Sequence, residues 1–528
     1  MSLNALYHQN LDERVVVAPL AEMPSRSRLL YFYSVILGLF LLLGLCSWPV
    51  LFSLDLWAFK DRGSSLNLDY LLSMGLRPGV DVYYSYGLLP VLLQHCVFAM
   101  FGRGYWPMLM LTFVYYGLAA AFWSCLIAPL AQARTFLCAF IVLIPLVLWI
   151  NPNLPYCLVL GSMLGSFICV LGKRLDVALA VSTVGVFSVP SLSIVLVALL
   201  VSLILYEEWI ASDRSARRTL LMLSYGFVTF ICLAGLLVAV FGWQSLLSTL
   251  LPLKGAQFYK EIHYGFLSTG MEFLFPAKAG ILHFFLAPPA WWIVSSALLL
   301  GFGIVASANI FRRHSLRPPE TVVLICAILH FVFVLLAYGP AEQHVIYDPL
   351  LAAGVLLGIA TMVRRNLRVS LLVVFAGLAL LSHVHQVRAT SNAWRNWRVS
   401  DATAGLYADS TWIADWSKIL SLASRQHLLL LSYGTGVHHY FPSVESPQVW
   451  FMQVGQLSSA DRERVLSQMK AAEVLVEDLS GPTAAIDKDP IIRQQLDSLC
   501  LVETNTNFQV WFRHADMRES ENCKTNAR

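Results

Sequence analysis

Long apolar runs alternate with short polar breaks over most of the chain, and the pattern then changes period. The apolar runs lie at about 29–53, 86–101, 107–129, 135–150, 157–172, 175–188, 190–206, 219–241, 289–311, 320–339, 347–363 and 369–386. Runs of this length with few charges predict helices that cross a bilayer. Basic clusters punctuate them at Arg26 and Arg28, Lys173-Arg174, Arg214 to Arg218, Arg312 to Arg317 and Arg364 to Arg368. Such clusters mark the cytoplasmic side. They predict a cytoplasmic N-terminus and put residues 242–288, 340–346 and everything after about 387 outside. Between Arg28 and Lys173 the number of crossings must be even, yet five runs lie there. One run must be re-entrant or hide a second crossing. The suspect is 157–172, preceded by Asn151-Pro152-Asn153-Leu154-Pro155, because prolines break a helix. The runs 175–188 and 190–206 meet at Ser188-Val189-Pro190 and read as a broken hairpin.

Beyond about residue 387 short apolar strands alternate with helical patterns. Strands are predicted at His427–Tyr433, Val449–Val454, Glu473–Asp478 and Phe508–Arg513, and helices at Thr411–Ser424, Ala460–Ala472 and Pro490–Cys500. Ser458 with Asp461 forms a capping box. The alternation predicts a small α/β sheet domain at 387–528, following a membrane domain at 1–386 with outer loops 54–85 and 242–288. The α/β domain shows no catalytic set, so it docks an acceptor or braces the membrane part. Gly434-Thr435-Gly436 lacks the third glycine and the prompt helix of a nucleotide fingerprint. His438 and His439 are adjacent and share no metal by helical spacing.

Composition narrows the class. Of 528 residues, 57% are hydrophobic, which excludes a soluble protein and gives an α-helical polytopic membrane protein with about 11–13 spans. A net charge of +4 is too small to point to nucleic acid, and none is expected as a partner. Eight of the ten cysteines sit in or beside apolar runs, while Cys500 and Cys523 could pair if the C-terminal part is extracytoplasmic. The absence of an Asn-x-Ser/Thr sequon tilts the source toward bacteria, and hence the location toward the inner membrane.

The charge that the chain does carry gathers at Asp55–Leu93, between the first and second runs. Asp55, Asp61, Asp69 and Asp81 lie there with Lys60, Arg62 and Arg77. Leu66, Leu68, Leu71, Leu72 and Leu76 predict a short helix with one apolar side, lying on the membrane surface with Asp69 on its wet face. Pro78-Gly79 ends it. Asp61-Arg62-Gly63, then Gly75, Pro78 and Asp81, then Tyr86-Gly87-Leu88-Leu89 resemble the first outer loop of the GT-C superfamily of membrane glycosyltransferases, of the protein O-mannosyltransferase or aminoarabinose-transferase type. Arg62 stands where the family has a second acid, and Gly79 where it has Tyr. The resemblance covers about forty residues.

The resemblance implies an inverting transfer of a hexose or pentose from a polyprenyl-phosphate sugar to an extracytoplasmic glycan, lipid or protein acceptor, among membrane lipids. It implies Asp61 as general base, with Asp81 orienting the acceptor or the loop. It implies no cofactor, and a divalent metal is not indicated. The leaving phosphate calls for cationic or polar partners on the outer side, and Arg62, Arg77, Lys254, Lys260, His344 and Tyr347 are the candidates. A non-catalytic envelope scaffold and a lipid-linked glycan flippase or transporter stand as alternatives.

Overall fold

The computed structural model describes residues 26–127, 154–210, 215–251, 288–333, 348–382, 384–452, 457–479 and 489–513. Among these, five helices are long and apolar enough to cross a membrane, and six shorter apolar helices accompany them. The chain is therefore a polytopic helical membrane protein, and it carries a C-terminal α/β domain.

Helix α1 (Arg26–Cys46) packs along a later helix, Tyr105–Ile127. Between them lie α2 (Asp61–Ser73) and α3 (Leu88–Phe101), so Tyr105–Ile127 is α4. Then follow α5 (Leu154–Leu171), α6 (Leu175–Val186), α7 (Pro190–Ile210) and α8 (Ala216–Phe241), with α6 packed on all three of its neighbours. A second group, α9 (Pro288–Arg313), α10 (Pro318–Phe333), α11 (Asp348–Met362) and α12 (Arg365–Ser382), joins the first through α10. One apolar core runs through both groups, from Ile36 and Phe167 to Leu356 and Phe375.

The odd run is α3. The Phe52 ring at the end of the first span lies 6.0 Å from Tyr105 at the start of α4. Residues 52–104 therefore leave and re-enter the bundle at one end. Helix α3 stays there, tied to α2: Gln94 donates to the Ser65 carbonyl, and His95 Nδ1 and Arg103 Nε donate to the Asp69 carboxylate at 2.8 and 2.7 Å. A helix of 14 residues is about 21 Å long. Its apolar face is spent on α2, α4, α5 and α8 rather than on a crossing. The suspect run is instead α5, an ordinary core helix with Val159, Met163 and Phe167 buried. The 135–150 run lies outside the described residues.

The tip between α6 and α7 reaches the same end. Gly87 and Leu89 donate to the carbonyls of Ser188 and Phe187 at 2.8 and 2.9 Å, and Ser188 Oγ donates to Pro155 O at 2.7 Å. Helix α6, at 12 residues, is about 18 Å long, short of a hydrocarbon core of about 30 Å.

Helix α13 (Val384–Asn396) leads out of the bundle, and its Trp394 indole donates to the Cys46 carbonyl at the end of α1. A two-stranded ladder of β1 (Trp397–Val399) and β2 (Tyr407–Asp409) follows, and Tyr407 N donates to Phe52 O at 2.8 Å. The main sheet has the order β4-β3-β5-β7-β6: β3 (Leu428–Leu431), β4 (Val444–Glu445) and β5 (Val474–Asp478) are parallel, while β7 (Phe508–Phe512) runs against β5 and β6 (Cys500–Thr504). Helix α14 (Ser410–Ala423) covers one face, while α15 (Ser459–Ala471) and α16 (Pro490–Asp497) cover the other. The Ser458–Asp461 capping box opens α15, as its spacing predicts.

Two local expectations fail. Val449–Met452 forms no strand, only an isolated bridge from Gly434 to Phe451, because its carbonyls are taken by side chains from elsewhere. The helix predicted to reach Cys500 ends at Asp497, and β6 begins at Cys500. Cys500 is disulfide-bonded, and its expected partner Cys523 lies outside the described residues.

Candidate functional site

The amphipathic helix expected on the membrane surface is α2, and it is buried. Arg62, Ser64, Leu66, Asn67, Leu68, Asp69 and Leu71 are all inside. Helix α3 covers one side of it, and the loop after β3 covers the other. Asp69, expected on a wet face, is 3% exposed and holds His95 and Arg103. The apolar side of α2 is where its leucine spacing puts it, but the polar face meets protein groups instead of water.

The N-terminal end of α2 is packed closely from two sides. Asp61 is its first residue, and the Asp61 side chain lies outside what the structure describes. A one-turn π-helix, Asp55–Phe59, precedes it. Gly63 presses on that turn: a Cβ there would stand 2.7 Å from Ala58 O. From the other side comes Gly434-Thr435-Gly436. Gly434 N donates to Phe59 O at 2.7 Å, and a Cβ on Gly436 would overlap Gly63 Cα. Arg62 points down toward the bundle. It is 2% exposed, its guanidinium stands 4.5 Å over the Trp57 ring, and Nη1 donates to Leu51 O at 3.2 Å. Its charge is felt by Tyr440, whose phenol is pushed up by burial and drawn back by that cation.

At the C-terminal end of the loop, Arg77 and Asp81 brace a turn. Arg77 N and Nε donate to Asp81 Oδ2 at 2.9 and 3.0 Å. Gly79 sits in this turn at φ +75°, a region that glycine enters without strain. Hydrogen bonding from Arg77 holds the Asp81 carboxyl below its usual range. Arg77 also reaches Gln244, beyond α8, at 3.3 Å. The α/β domain grips the same turn: Arg464 donates to Asp81 O at 2.6 Å, and Tyr83 N donates to the buried Asp461 carboxylate at 3.0 Å. Asp55 pairs with Lys60 at 2.5 Å.

Lys254, Lys260, His344 and Tyr347 lie outside the described residues. Sequence reasoning missed several groups at this junction: Asn67, Arg103, Thr435, Asp461 and Tyr440. The His438 and His439 rings meet at 3.9 Å, tilted to each other, beside the Tyr70 ring of α2. Burial pushes His438 down to about 4, and burial together with His438 and Arg103 pushes His439 down to about 3. Their adjacency in sequence was visible; that they face α2 was not.

No family model matches the chain, and no curated protein matches it. Among solved structures, the crystal structure of ArnT from Cupriavidus metallidurans bound to undecaprenyl phosphate is similar over 92% of this chain and 99% of that chain, with 13% identity and a TM-score of 0.47. The apo structure of the same protein is similar over 90% of this chain and 97% of that chain, with 15% identity and a TM-score of 0.47. A likeness this loose fixes neither the reaction nor the ligand of this chain.

Proposed function

We propose that this chain is a membrane glycosyltransferase of the GT-C type, which moves a sugar from a polyprenyl-phosphate donor to an extracytoplasmic acceptor at the N-terminal end of α2. One observation carries the reading. The segment whose motif resembles that family, Asp61-Arg62-Gly63, opens a helix enclosed where the bundle end meets the α/β domain. A donor with its tail in lipid and its sugar in water needs its reaction centre at such a junction.

In this reading Asp61 takes the proton of the acceptor hydroxyl as its oxygen attacks the anomeric carbon. The bond from that carbon to the phosphate oxygen breaks with inversion, and the electron pair leaves with the phosphate. The buried Arg62 supplies positive charge beneath the reaction centre. Arg77 and Asp81 hold the loop rather than the substrate, because each engages the other. Lys254, Lys260, His344 and Tyr347 are the remaining phosphate partners proposed. The disulfide at Cys500 supports an oxidising, extracytoplasmic side for this end.

The test is Asp61→Asn, which keeps the volume and removes the proton acceptor. Loss of a positioned base costs on the order of 10² to 10⁴ in rate. The variant should insert at a normal level and fail to complement a deletion strain, scored by the mature envelope glycan. Full glycan product from Asp61→Asn at normal membrane level would sink the mechanism and favour the scaffold.

A further inference from the structure

Asn67 lies on α2, two turns from Asp61, and is 1% exposed. Its Nδ2 donates to Thr435 Oγ1 at 2.8 Å and to Val449 O at 2.8 Å, and it lies 3.3 Å from Pro447 O. Thr435 is fully buried, and its hydroxyl also lies 2.9 and 3.0 Å from the carbonyls of Val449 and Trp450. One residue to either side, Gly434 and Gly436 touch Phe59, Lys60 and Gly63 backbone to backbone. The contacts flank Asp61 on both sides. They come from the carboxyl end of β3, where the chain reverses its direction across the parallel strands and where open α/β sheets place ligands. Here that position is filled by the membrane domain's own loop.

We propose that Thr435 and Asn67 are positioning residues for Asp61. The α/β domain acts as a clamp that sets the backbone of residues 59–67, and neither residue touches substrate. This rests on the glycosyltransferase reading for its catalytic consequence, but not for the clamp itself. Thr435 is the sharper probe, because valine keeps its shape and removes the hydroxyl, while serine keeps the hydroxyl.

The experiment uses the full-length protein in lipid nanodiscs. The donor probe is the total lipid-linked sugar extract of the native membrane, radiolabelled in its sugars, and the acceptor probe is the unlabelled envelope fraction of a deletion strain. Label transfer is read against extract concentration, and amide hydrogen exchange is read over residues 59–67. For Thr435→Val, kcat should fall by about 10²-fold, the cost of a displacement of about 1 Å in a catalytic group. KM should stay at its wild-type value, exchange over 59–67 should accelerate, and Thr435→Ser should restore both. Asn67→Ala should repeat the pattern, and it stands in if Thr435→Val fails to insert. Wild-type kcat, or unchanged exchange over 59–67, in whichever variant inserts would overturn the clamp. If wild-type protein transfers no label, the glycosyltransferase reading fails, and the exchange arm still decides the clamp.

Discussion

At the scale of single residues, the junction holds several polar groups out of water, and two of them titrate in an accessible range. His438 and His439 lie tilted and edge-on beside Tyr70, with Arg103 near, and are held at about 4 and about 3. Both values lie below the ordinary 6.5, so the unfolded chain binds protons first as pH falls. Their contribution is therefore intact above pH 6.5 and is lost as pH drops toward 4 and then 3. His427 has the opposite sign. Its hydrogen bond to Glu445 raises it, so its contribution is present below 6.5 and fades as pH climbs through the raised value. The melting temperature of the detergent-solubilised protein should thus fall from pH 6.5 to pH 4, and a His438→Gln/His439→Gln variant should show a flatter profile. Equal slopes in both proteins would remove the two imidazoles from the account.

At the scale of elements, α3 shows how an apolar run need not be a span. Its length fits a crossing only marginally, and its position is decided by two polar anchors: Gln94 to Ser65, and Arg103 with His95 to Asp69. A carboxylate that is 3% exposed is costly without partners. Asp69 therefore selects the arrangement that brings the Arg103 guanidinium and the His95 ring to it. Fusions of an export-dependent reporter after residue 53 and after residue 104 should be active alike. Opposite activities would mean that α3 crosses. The same logic covers α2, whose polar side chains find protein partners on both flanks. An amphipathic pattern says that one side of a helix is apolar; it leaves open whether the other side meets water.

At the scale of the whole molecule, the α/β domain and the membrane domain share a core. Leu54, Trp57, Ala58 and Phe59 from the first loop pack with Trp416, Leu428, Leu430 and Phe508 under one face of the sheet. The Phe59 ring lies 4.9 Å from Trp412 and 5.2 Å from Trp416, both edge-on. Stripped of that loop, the sheet face would expose several large aromatic rings. Burying one such side chain is worth about 1.5–3 kcal/mol, a large part of the stability of a small domain. A soluble fragment of residues 384–513 should therefore bind a hydrophobic dye and lack a cooperative melt. A sharp, dye-free melt would show that the domain stands without its membrane partner.

The apolar helices among the described residues, the turn at Pro78-Gly79, the Ser458 capping box and the strand–helix alternation were legible in the sequence, because each rests on contacts within a few residues. Hydropathy over twenty or so positions suffices for a span, and a cap needs only its own first turn. The motif at Asp61-Arg62-Gly63 was legible in the same local way. What surrounds it was not. The partner of Asn67 stands 368 positions away, and the groups beside Gly63 arrive from the loop after β3. Gly434-Thr435-Gly436 read only as a failed nucleotide fingerprint, since nothing local shows that another backbone must approach there. Whether a polar face is wetted, bonded or charged against a partner is settled by which surfaces close over it. That choice belongs to the tertiary structure, because it depends on distant chain segments competing with water for the same hydrogen bonds.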